Sequence, residues 1–224
     1  MDFSPVLISM RTAAASIVIT FFLGILTARW VCSLRHQKLQ AVIDGLLTLP
    51  LVLPPTVVGF FLLYLFGVQR PAGAFLLEFF SIKLVFSWGA TVLAAVVVSF
   101  PLMYRSARGA FSQVDASLIH AAQTLGLSDR YIFWRIILPI SLPGVMTGGI
   151  LAFARGLGEF GATTMIAGNI AGKTRTLPLA IYSSVASGNL TDAYDYVFII
   201  VCISFVIVVL MNLFAAKERR SAKV

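Results

Sequence analysis

An all-α membrane protein, built as a polytopic bundle of about five transmembrane helices, is the fold class this 224-residue sequence predicts, and three observations carry it. Hydrophobic residues make up 59% and charged residues 12%, where soluble domains run at roughly 45–50% and about 25%. Five apolar stretches, Thr12–Cys32, Leu46–Val68, Leu84–Met103, Ile136–Leu157 and Tyr196–Ala216, reach the length of about 20 residues that crosses a bilayer. The cations gather between those stretches. Lipid cannot satisfy a bare peptide group, so each stretch must be helical.

Thr12–Cys32 is longer than the apolar core of a signal peptide, about 7–15 residues, and no small-residue cleavage site follows it before Arg35, so it reads as a retained span. Pro50, Pro54 and Pro55 interrupt the second stretch and Pro101 the third. Pro139 and Pro143 interrupt the fourth, followed by Gly148 and Gly149. Each proline frees a carbonyl that lipid cannot satisfy, so breakers in successive spans point to a transporter core with kinked helices around a path. Phe160–Ile170, in the segment from Gly158 to Asp195, is apolar but about half a span long, and reads as a dip into the membrane from outside. Cys32 and Cys202 lie in apolar runs and behave as small hydrophobes, so neither a disulfide, a metal site nor a cofactor is expected from them.

Orientation follows from charge. Eleven of the 17 Lys and Arg, at Arg29–Lys38, Arg105–Arg135 and Lys217–Lys223, fall on one side, while Arg11, Arg70, Lys83, Lys173 and Arg175 fall on the other. The richer side should be cytoplasmic. That places the N-terminus outside, the C-terminus in the cytoplasm and a cytoplasmic segment at 104–135, within one transmembrane domain spanning 1–224. The net charge of +8 does not indicate a nucleic-acid partner, because no basic face on a soluble domain accompanies it.

Within that segment, His120-Ala121-Ala122-Gln123-Thr124-Leu125-Gly126 reads as a short helix whose alanines permit close approach, ending in a turn that glycine adopts cheaply. A second short helix from Ser128 presents Tyr131, Ile132, Phe133 and Trp134, which would suit a groove on a partner or a lipid surface.

These residues resemble the permease family of binding-protein-dependent ABC importers, whose loop carries Glu-Ala-Ala, then Gly, then Ile-x-Leu-Pro at fixed spacing. Ala121, Ala122, Gly126, Ile136, Leu138 and Pro139 match, and His120 stands where the family has Glu. Leu49–Gly59 and Leu151–Ala162 are similar to the molybdate permease branch. The resemblance implies a homodimer in the lipid bilayer of the inner membrane, a cytoplasmic ABC ATPase dimer docked on the 120–139 segment, and an extracytoplasmic anion-binding protein. It implies molybdate import, with tungstate or sulfate/thiosulfate as the nearest other cargoes and no catalytic site in this chain.

Arg155 is the one charge well separated from the cytoplasmic end of its span, with Glu159 one helical turn later. The two, with Pro54 and Pro55, are the candidate pathway residues. Arg155 either lowers the barrier for an anion or is spent in an i,i+4 pair with Glu159, and a net-neutral pair attracts an anion poorly. Ala167–Thr174 fits a loose phosphate-loop pattern but has no preceding strand, so it reads as a surface turn. An ion-coupled carrier would need acidic residues inside the spans, and the five stretches contain none.

Overall fold

The computed structural model describes residues 2–34 and 36–221, with side chains described through Leu210 and at Leu213. Arg35, Lys223 and the side chains of Lys217, Arg219 and Arg220, on which the charge count partly rests, lie outside the described residues. The described residues form helices without a strand: α1 Ser4–Cys32, α2 Gln37–Val52, α3 Pro55–Phe66, α4 Pro71–Phe80, α5 Trp88–Ser112, α6 Ala116–Thr124, α7 Asp129–Ile132, a π-turn Phe133–Ile137, α8 Leu138–Leu157, α9 Gly161–Ala167, α10 Leu177–Ala186 and α11 Leu190–Ser221. Among the described residues, four helical segments are long and apolar enough to cross a membrane: Ser4–Cys32, Trp88–Ser112, Asp129–Leu157 and Leu190–Leu210. The pair α2 and α3, bent by 109°, makes a fifth if it is counted as one broken span.

The second stretch is therefore no kinked span but two helices meeting at Leu53 and Pro54. Pro54 and Pro55 supply no N–H, and the residue before a proline is driven to extended backbone, as Leu53 shows at φ −70°, ψ 142°. Pro50, by contrast, stays inside α2. The other helices outrun the apolar stretches. α1 begins at Ser4 because Pro5 suits a first turn and the Asp2 carboxylate accepts from the Ser4 N–H at 2.9 Å. α5 continues to Ser112, so the first residues of the 104–135 segment prolong a span rather than leave it.

α5 is the central helix, with Ala90, Ala94, Ala95, Val98 and Ala107 buried along it. Against it lies α1, joined by hydroxyl pairs Thr12···Thr91 at 3.0 Å and Thr20···Ser99 at 3.3 Å. Both pairs are 79 residues apart in sequence, so one register runs along the contact. Small residues let the backbones close in: a Cβ at Gly24 would meet Met103 at 2.5 Å, and one at Gly148 would meet Ser106 at 2.4 Å. α8 is fastened to α5 by Ser141, whose hydroxyl donates to the Ala110 carbonyl at 3.2 Å. α10 and α11 close the bundle through Leu177, Ala180 and Tyr196.

Candidate functional site

The segment from Ala116 to Pro139 is built by its caps. Asp115 accepts from the Ser117 N–H at 2.8 Å and starts α6, and this hydrogen bonding holds its carboxyl below the ordinary value. At the far end Leu127 N–H donates to Ala122 C=O and Gly126 N–H to Gln123 C=O, the paired bonds that close a helix through a left-handed residue. That residue is Gly126, at φ +75°, as the sequence leads one to expect. Ser128 then accepts from the Tyr131 N–H and opens α7.

The second short helix does not stop at the membrane. α7, the π-turn and α8 form one helical segment, Asp129–Leu157. The π-turn sits where Pro139 cannot donate to Arg135 C=O, and Leu138 N–H reaches back to Phe133 C=O instead. Ile136 and Leu138 are half-buried there, and Pro139 is exposed.

Exposure divides the residues expected to face a partner. His120, Ala121, Leu125, Tyr131 and Trp134 are exposed, but Ala122, Ile132 and Phe133 are buried within this chain. Phe133 packs edge-on against Phe111 at 5.4 Å, with the Arg29 guanidinium 4.3 Å from its ring centre. Ile132 and Phe133 thus anchor the segment, and the alanine pair splits, Ala121 outward and Ala122 inward. His120 faces Gln123 Oε1 at 3.3 Å.

The second candidate region is assembled from distant stretches. Glu159 is buried and accepts from the Arg155 guanidinium at 2.7 Å through Oε2 and from the Ala162 N–H at 2.7 Å through Oε1. Arg155 is therefore committed to an ion pair, and the carboxylate also caps α9. A Cβ at Gly161 would meet Pro55 at 3.0 Å, and one at Gly59 would meet Ala162 Cα at 2.7 Å. The half-span Phe160–Ile170 thus contains an interior helix, α9 (Gly161–Ala167), packed on α3 and α5, and leaves it at Gly168. It brings Leu49–Gly59 and Leu151–Ala162 together, placing Pro55 beside the residues that follow the Arg155–Glu159 pair, while Pro54 stays exposed.

Ala167–Thr174 is a turn, with Gly168 and Gly172 both at φ +69° and the Thr174 hydroxyl bridging Ile170 N–H and Gly168 C=O. Lys173 is exposed and no strand precedes it among the described residues.

An acid was missed. Asp44, two residues before the second apolar stretch, lies within α2 and binds the Tyr104 hydroxyl through Oδ1 and the Arg108 guanidinium through Oδ2. The five apolar stretches themselves contain no acid, but the helix that enters the second one begins at Gln37 and carries Asp44 two residues before it. Its signal was a lone Asp in an apolar helix opposite a Tyr and an Arg one turn apart.

With this geometry in view, comparison with known proteins is specific. The model of the binding-protein-dependent transport system inner membrane component family matches residues 20–220. The molybdenum transport system permease protein ModB of Escherichia coli K12 is 44% identical over 184 residues, 82% of this chain and 80% of that one. Its Haemophilus influenzae counterpart is 43% identical over 185 residues, 83% and 80% of the two chains. Among solved structures, an inward-facing MetNI methionine ABC transporter chain aligns with TM-score 0.68 at 15% identity over 94% of both chains. A bacterial ABC transporter that imports alginate aligns with TM-score 0.69 at 14% identity, covering 97% of this chain and 79% of that one. The chain belongs to the binding-protein-dependent transport system inner membrane component family, as a multi-pass inner-membrane subunit.

Proposed function

We propose that this chain is the membrane-spanning permease of an ATP-driven importer that carries molybdate into the cytoplasm. Residues 1–224 act as one transmembrane domain and pair with a second copy to enclose the path. Two ATPase subunits dock on the exposed side of the 116–139 segment, at His120, Ala121, Leu125, Tyr131 and Trp134, and an extracytoplasmic binding protein delivers the anion. In this orientation the N-terminus lies outside and the C-terminus in the cytoplasm. The chain supplies no catalytic group; hydrolysis belongs to the partner.

One observation carries the reading. The 29-residue segment Asp129–Leu157 joins the docking surface to Arg155, and through Glu159 to the α3–α9 crossing. At 1.5 Å per residue it spans roughly 40 Å, the thickness of a membrane with its headgroups. A push on α6 and α7 is therefore delivered to the place where α2 and α3 break. Pro54 and Pro55 leave that break free to tilt, while the Arg155–Glu159 pair holds its far side. Since the pair is neutral, it acts as a hinge post, not as an attractor for a dianion.

The cargo is assigned from the relatives' named role. Cells lacking this protein should lose molybdenum-dependent activities and recover them in excess molybdate. Proteoliposomes holding the whole complex should take up molybdate with ATP, and tungstate should compete. A sulfate requirement, with molybdate uptake unchanged, would replace molybdate by sulfate as cargo.

A further inference from the structure

The function just proposed makes no use of Asp44, yet among the described residues only two ion pairs exist, and this is one of them. α2 has no fully buried residue. Its hold on the bundle consists of the half-buried Ile43 and Leu47, the Gln40 side chain on Val31 C=O at 3.4 Å, and Asp44. Asp44 engages two partners on α5, Tyr104 and Arg108, so α2 is fixed to the central helix at one point by two charge-assisted bonds. Both groups are mostly withdrawn from solvent, at 22% and 32% side-chain exposure. An apolar setting strengthens such a pair and penalises either member left alone.

Position gives the pair its meaning. Arg108 lies one turn before the end of α5, which leads through Asp115 into α6. It also lines a cavity of about 650 Å³ whose other walls include Gln123 of α6, Asp129 of α7 and Arg29. Asp44 lies nine residues before the break at Leu53, about 13 Å along the helix. One side of the pair thus faces the docking segment and the other is rigidly joined to the arm that ends at the break.

We infer that Asp44, held by Arg108 and Tyr104, is a positioning residue that transmits movement of the docking segment to the broken α2–α3 span, as a second route beside Asp129–Leu157. The inference rests on the permease reading. Without the pair, α5 and α6 move but α2 does not follow, so ATP is hydrolysed without the break opening.

The test uses the full complex with its binding protein in proteoliposomes, measuring ATP hydrolysis and molybdate uptake in the same vesicles. Asp44→Ala should keep hydrolysis near the wild-type rate while uptake per ATP falls about two- to thirtyfold, the range expected when a coupling contact is removed. Asp44→Glu should retain most coupling. The exchange Asp44→Arg with Arg108→Asp should recover uptake per ATP to within about threefold, which would show that the two charges act as a pair, while hydrolysis retained in Asp44→Ala separates coupling from folding. If Asp44→Ala fails to fold, Asp44→Asn, which keeps the shape and an acceptor for Tyr104, takes its place with a loss of the same direction. Wild-type uptake per ATP in Asp44→Ala, or a proportional loss of hydrolysis and uptake that the exchange leaves uncorrected, overturns the inference. Failure of the wild-type complex to couple ATP to uptake would instead overturn the permease reading.

Discussion

The docking segment and the α3–α9 crossing solve opposite problems. The segment 116–139 offers residues outward: Leu125 is 78% exposed, and a Cβ on Gly126 would meet nothing within 4 Å. The crossing is closed, with Gly59 so near the Ala162 backbone that a Cβ would overlap it, Gly161 tight against Pro55, and Glu159 only 2% exposed. On the proposed reading the first is a surface for a partner, whereas the second packs this chain's own helices against one another. Damage to the crossing should therefore appear in the isolated permease, and damage to the segment only in the assembled machine.

The largest expected effect lies in the crossing. Glu159→Ala leaves the half-buried Arg155 unpaired and removes the acceptor of the Ala162 N–H, a loss of about 3 kcal/mol. Thermal unfolding of the purified permease should show a clear drop in Tm. Gly59→Val comes next, since its Cβ would press on the Ala162 backbone, at a cost of about 2 kcal/mol and with loss of transport. A Gly59→Val protein with unchanged Tm would mean that α3 and α9 are not closely packed.

The same comparison is sharpened from the other side by Gly126→Val. A β-branched residue at φ +75° costs about 1–2 kcal/mol locally, with no clash. The bundle should unfold near the wild-type temperature while ATPase docking and uptake collapse. Equal destabilisation by Gly126→Val and Gly59→Val would erase the distinction between the two regions. The smallest effect is that of Lys173→Ala, a change on an exposed turn expected within about 0.5 kcal/mol and without consequence for ATP binding or hydrolysis.

The two regions also differ in how far the sequence discloses them. The docking segment is contiguous and its turn depends on one glycine with fixed capping bonds, so its local structure was readable from His120 to Gly126. What was not readable was the inward turn of Ala122, Ile132 and Phe133, because four apolar neighbours in a row do not reveal which face finds a core. Nor did spacing show that Pro139 would yield a π-turn and leave the helix continuous. The crossing joins residues about 100 positions apart. Its partners, Pro55 with Gly161 and Gly59 with Ala162, become visible only once α9 is placed. Pro54 and Pro55 announced a break, but not one of 109°. Asp44 escaped notice because it stands just before an apolar stretch, whereas the helix that carries it begins at Gln37.

The central claim, that energy from a partner ATPase enters at the 116–139 segment and reaches the crossing, is tested most directly by binding-protein-stimulated ATP hydrolysis in the reconstituted complex carrying Gly126→Val. The account predicts a folded, dimeric permease of near-wild-type Tm, with stimulation and molybdate uptake both abolished. Full stimulation together with wild-type uptake would contradict it.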